Sequence, residues 1–355
     1  MTTLEVRPAD LRAAGADMRL IGATVSKASS QASTYVQVEG GGAVYDAIGS
    51  EIQGVREDML AAYGPAGLAE GVFYGAGDAL SALAYDYEQV DLEQAQRYDE
   101  LLTPVEPRDM TSQWTPDPVG TDQAGLLGLV SGSPSDQFAD YNAFDAINEK
   151  VDNLLGFEWV GEALGKLGID FKPTELIEAE LGGDWTQMGV ALGGIDQIHF
   201  YWLEVSYELE GVVSRFDATW KGQAANAARA WFAVLQGSAF DHGTALGKSG
   251  SRVKAESIAF LDALSTLEKA VDAVAGMAAS SDNLGGGILS VLKGVVDAAL
   301  GKLMGLIDAF WAAFQAMKTV AHGLVAAMAQ FTRFHDTTWP AVPGFPEQDV
   351  DGPEL

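Results

Sequence analysis

Between residues 184 and 274 the chain repeats one pattern with little interruption. Trp185, Met188, Leu192, Ile195, His199, Trp202, Val205, Leu209, Val212 and Phe216 follow one another at steps of three or four. After Trp220-Lys221-Gly222 the pattern resumes with Ala225, Ala228, Phe232, Leu235, Ala239, His242 and Leu246, then continues through Val253, Phe260, Leu264, Leu267, Val271 and Val274. Such spacing places every member on one stripe of an α-helix and is incompatible with the two-residue period of a strand. Two long helices joined by a few residues must run antiparallel and bury those stripes against each other. A helical hairpin over 184–280 is therefore expected.

The first 103 residues carry a second helical module. Leu11, Ala14, Met18, Ile21, Val25, Ala28, Ala32 and Tyr35 form a seam over 8–36. Pro8 suits the first turn, and Gly40-Gly41-Gly42 ends the helix. A shorter helix is expected at 44–62, stopped by Gly64-Pro65, and another at 66–102 with Leu68, Val72, Ala76, Ala79, Leu83, Tyr87 and Val90 on its seam. Residues 104–183 read as a linker carrying Pro104, Pro107, Pro116 and Pro118, followed by an irregular helical insertion with one helix at 135–155. Beyond Gly285-Gly286-Gly287, an apolar helix or helical hairpin is expected over 284–336, its circumference covered by the other helices or by a partner. A Pro-rich extended tail occupies 337–355. No run of alternating β-branched residues marks a strand. The fold class that follows is all-α: long antiparallel helical hairpins in an elongated helical bundle.

Charge narrows the function classes. A net charge of −29 repels phosphate backbones and anionic lipid headgroups, so nucleic acid is not expected as a partner and membrane docking is disfavoured. Lys293, Asp297, Lys302, Asp308 and Lys318 interrupt the apolar C-terminal segment, leaving no run of the roughly 18–20 residues a membrane span requires. With no cysteine in the chain, disulfides and thiolate chemistry are ruled out. The N-terminal stretch is charged from residue 5 and has no apolar core of a cleavable signal peptide, so export would use a route other than the general secretory one.

A search for catalytic or ligand-binding patterns yields no candidate. His199, His242, His322 and His335 lack metal-ligand spacing, and the first two lie on helix seams as core histidines. Gly243 to Ser249 imitates a phosphate loop but has three intervening residues where four are needed, and it follows a helical pattern instead of a strand. The glycines at 71, 75 and 77 sit at a helix with no preceding strand. No catalytic residue, cofactor site or metal site is assigned, and the chain does not read as an enzyme.

The remaining feature is the joint in FDATWKGQAANAARAWF. About one Trp-x-Gly match is expected by chance from 8 Trp and 41 Gly in 355 residues, and a second match exists at Trp159-Val160-Gly161. Only Trp220-Lys221-Gly222 has a long seam on each side. There it reads as the exposed tip of a hairpin, with Trp220 laid over the open end of the bundle and its indole N–H reaching solvent or a carbonyl.

With TWKGQAANAARAWF following about 30 residues of amphipathic helix, residues 184–280 resemble the WXG-type helical hairpins exported by actinobacterial type VII (ESX) secretion systems. VRPADLRAAGADM resembles the start of the small ESX secretion-associated (Esp) proteins, and the order of modules is similar to that of fused PE/PPE-like substrates. The resemblance implies a Tyr-x-x-x-Asp/Glu signal, which Tyr87 and Asp91 match on one face of the second long helix. Tyr35/Glu39, Tyr74/Asp78 and Tyr141/Asp145 share the spacing, but only Tyr87/Asp91 sits where the family carries its signal. It further implies a secreted or cell-surface, non-catalytic protein. Its composite signal of Trp220, Gly222, Tyr87 and Asp91 would be read by the ESX secretion ATPase. A chaperone or WXG-type helical partner and a homo-oligomer are the other associations implied. Two alternatives are an N-terminal export carrier of a polymorphic toxin whose toxin domain is absent or separate, and a membrane-active protein working through 284–331.

Overall fold

The computed structural model describes residues 5–63, 68–90, 92–106, 110, 123–131, 133–134, 142–166, 168–282, 293–329 and 339–341. Asp91, Pro107, Pro116, Pro118, the Gly285–Gly287 break and residues 342–355 lie outside them.

Helices α1 (Pro8–Tyr35), α2 (Ala43–Tyr63), α3 (Leu68–Gln89) and α4 (Leu92–Leu101) form the N-terminal part. Among the described residues the insertion contributes short helices that precede the hairpin, beginning with α5 (Gln123–Leu129), α6 (Asn142–Leu155) and α7 (Glu158–Lys166). After α8 (Pro173–Leu181) come the hairpin helices α9 (Trp185–Asp217) and α10 (Gln223–Asp282), then α11 (Lys293–Met328). Among the described residues the only β pairing is a single bridge between Glu5 and Lys221. The protein is an all-α bundle. At 60 residues, α10 rises about 90 Å along its axis.

Helix α9 lies at the centre. The predicted seam residues Trp185 through Phe216 are buried apart from the half-buried His199, and every named member of the α10 seam is buried. Side-chain pairs fix an antiparallel register between the two helices. Gln236 donates to the Ser206 carbonyl (3.0 Å), His199 Nδ1 lies 2.7 Å from the Gly243 carbonyl oxygen, and Lys254 pairs with the buried Asp196 (2.9 Å). The phosphate-loop imitation at 243–249 is thus uninterrupted helix. Gly247 leaves room for the His199 ring, which a Cβ there would meet at 2.4 Å.

The N-terminal part packs on the other side of α9, making one bundle with the hairpin. Rising along α1 and falling along α9, Asp10 accepts from Thr219 (2.7 Å), Asp17 pairs with Arg215, and the Thr24 and Tyr201 hydroxyls lie 2.9 Å apart. Gln31 then donates to Gln197 (2.6 Å). The two buried pairs, Thr24–Tyr201 and Gln31–Gln197, contribute about 1 kcal/mol each and penalise a slipped register more, because a slip leaves both partners unsatisfied.

Helix α1 is flanked on its other face by α3 at backbone contact. A Cβ on Gly15 would lie 2.8 Å from the Gly77 carbonyl oxygen, and one on Gly77 would lie 2.7 Å from that of Gly15. This approach turns α3 slightly away from its predicted seam. Phe73, Leu80 and Ala84 are buried, whereas Ala79, Leu83 and Tyr87 are only half-buried. The helix expected to run unbroken over 66–102 is also interrupted: α3 ends at Gln89 and α4 begins at Leu92.

The insertion contributes to the core. Phe144 and Leu181 are buried, and Phe144 stacks on Trp185 with ring centroids 6.5 Å apart. Over its described length the C-terminal segment is one helix. Phe310, Met317, Ala321 and Leu324 of α11 are buried, while Leu300, Met304 and Trp311 face outward, so the bundle covers one side of it. No described helix is long and apolar enough to cross a membrane.

Candidate functional site

The two long helices begin differently, and the difference builds the joint. Helix α9 carries its own cap: the Asp184 side chain accepts from the Gln187 N–H at 2.9 Å. Helix α10 begins after Gly222 and has no side chain at that position to accept its first N–H groups. Asp99 of α4 supplies the missing acceptor from 124 residues away, taking the Gln223 and Ala224 N–H groups at 2.8 and 2.9 Å. Only 7% of Asp99 is exposed. A buried carboxylate at a helix N-terminus is favoured by both the hydrogen bonds and the helix dipole.

Gly222 makes this possible. Its φ is +127°, a region that side chains other than glycine rarely enter, and a Cβ would lie 2.6 Å from the Asp99 carboxylate. Gln223 in turn accepts the Val105 N–H (3.3 Å), tying down the chain after α4. On the other side the Lys221 N–H donates to the Glu5 carbonyl (2.7 Å). Arg229 closes the C-terminus of α9: it pairs with Asp217 (2.6 Å) and donates to the Trp220 carbonyl (3.2 Å).

The joint is therefore covered, which corrects the expectation of an exposed tip. Trp220 is 0% exposed. It lies edge-on to Phe216 (5.4 Å between centroids) and to Tyr87 (6.5 Å, rings inclined by 73°). Its indole N–H, expected to reach solvent or a carbonyl, comes near the Tyr87 hydroxyl without attaining hydrogen-bond geometry. Burial raises the Tyr87 phenol above its ordinary value. The nearby Asp99 carboxylate adds to the rise, and the Trp220 N–H opposes it.

Three of the four candidate residues are thus placed. Tyr87, Trp220 and Gly222 converge at one end of the bundle; Asp91 lies outside the described residues. The helix that was to present Tyr87 and Asp91 on one face stops at Gln89. Asp99 was missed. The uncapped start of α10 signals that some acceptor must come from elsewhere, but the sequence offers 50 acidic residues and no local rule to choose among them.

A further polar pair lies in the core. His242 is buried against Tyr63, with which it shares a hydrogen bond, and burial lowers its pKa to about 3. Among the described residues no three His, Asp or Glu side chains are grouped to hold a metal ion. No family model, curated protein or solved structure matches this chain.

Proposed function

We propose that this protein is a secreted substrate of a type VII (ESX) secretion system, a non-catalytic helical protein that works through export and protein–protein contact. The observation that supports this reading is the meeting of Tyr87 with Trp220. The two residues are 133 positions apart, and each was selected from sequence as half of one composite signal, yet they pack ring against ring at one end of the bundle. In this reading Trp220 shapes the signal from inside. Being fully buried, it presents no surface of its own, and the secretion ATPase meets the half-exposed Lys221 and the α4 cover above it.

The test is export from an actinobacterial host with an intact or a disabled ESX system. Tyr87→Ala, Lys221→Glu and Trp220→Ala variants should be depleted at least tenfold from culture filtrates, and the wild-type chain should leave the cell only in the intact strain. Purified variants are checked by circular dichroism, so that loss of export by a folded Tyr87→Ala or Lys221→Glu protein is separated from misfolding. Equal release of wild-type protein from both strains would end the proposal.

A further inference from the structure

Residues 339–341 lie in a cleft between α3, α9 and α10. The Trp339 ring sits 4.9 Å from Trp202, 5.8 Å from His242 and 6.3 Å from Phe73, measured between centroids. Two residues later, the Ala341 carbonyl accepts the indole N–H of Trp231 at 2.8 Å. The segment therefore runs along α10 from His242 towards Trp231, in the direction of the covered joint.

This is how a receptor groove holds an extended peptide. One side chain fills an aromatic cradle, and one directional hydrogen bond from a tryptophan fixes the backbone beside a proline. Pro340 has its φ preset, and a residue preceding proline is itself restricted to extended conformations. The segment accordingly loses little conformational freedom on docking. Its described contacts are those of a ligand: a ring, a carbonyl and no shared secondary structure. Nothing in that geometry requires the segment to belong to the same chain.

We propose that the α3–α9–α10 cleft is a docking site for an extended Trp-Pro segment, filled here by the chain's own residues 339–341 and open to the same segment of a second copy. The tethered segment acts as an internal competitor. A groove mostly occupied from within shows weakened affinity for the same ligand from outside, in proportion to the fraction left open.

The probe is a fluorescein-labelled peptide of residues 336–345, DTTWPAVPGF. It is titrated by anisotropy into the full chain carrying Trp339→Ala, which empties the cradle. Saturable binding is expected, at least about tenfold tighter than to the wild-type chain. A peptide with Ala in place of its Trp should not bind. Adding Trp231→Phe to the protein should weaken binding by about fivefold through loss of the indole donor. If Trp339→Ala loses its helical circular dichroism, Trp339→Phe serves in its place: its smaller ring is a weaker internal competitor, so the peptide should still bind it more tightly than wild type, by a smaller factor. No saturable binding to a folded variant, or equal binding to variant and wild type, would overturn the proposal.

Discussion

The chain contains the same tripeptide pattern twice, and the two copies have opposite surroundings. Trp159-Val160-Gly161 lies at the start of the short helix α7, where Trp159 is 43% exposed and Gly161 has room for a methyl group at ordinary contact distance. Trp220-Lys221-Gly222 joins the two longest seams, buries its Trp completely and holds its Gly at φ +127° against a carboxylate. Composition at the motif is nearly identical. What differs is whether two helices meet there and whether a third segment needs the space.

The sharpest way to break this comparison is to remove each Trp in turn. Trp220→Ala should cost about 3–5 kcal/mol in urea unfolding, as deletion of a fully buried Trp generally does. Trp159→Ala should stay within about 0.5 kcal/mol of wild type, as surface changes usually do. Similar losses at the two sites would mean that burial at the joint is not the distinguishing property.

The glycines should differ in sign. Gly222→Ala forces a side chain into a left-handed backbone and against Asp99, a strain of about 1–3 kcal/mol before any loss of the cap. Gly161→Ala sits within a helix with its neighbours at ordinary contact distance and should stabilise by about 0.5–1 kcal/mol. Thermal unfolding of both variants checks this, and destabilisation by Gly161→Ala would refute the reading of that site as ordinary helix.

A smaller effect isolates the cover itself. Asp99→Ala removes the acceptor of two α10 N–H groups and should cost about 1–2 kcal/mol, the range for loss of an N-cap. Amide exchange at Gln223 and Ala224 should accelerate, while exchange around Trp159 stays unchanged. Unaltered protection at 223 and 224 would show that Asp99 is not what holds the start of α10.

Much of the fold was legible because helices advertise their buried face at fixed spacing. The α9 and α10 seams, the α1 seam and the antiparallel hairpin all follow from local periodicity. Periodicity failed where one helix touched another through glycine. The Gly15–Gly77 contact rotates α3 away from the face its larger apolar residues suggested. It was also silent on the break at Gln89, since Val90 and the residues beyond it continue a plausible helical pattern. At the candidate site, three residues were identifiable from motif and context. Asp99 was not, because the capping rule that needs a carboxylate acts through space.

By itself, the sequence determined the long helices, the pairing of the two in the hairpin and the place where they join, since each depends on residues near one another in the chain. Only the tertiary structure decided that the N-terminal helices and the hairpin share one core, and that the joint lies buried beneath Asp99 instead of at an open tip. The orphan N–H groups of α10 and the large apolar ring of Trp220 each required a partner. Which of many equivalent acidic and apolar residues supplies one is settled by packing alone.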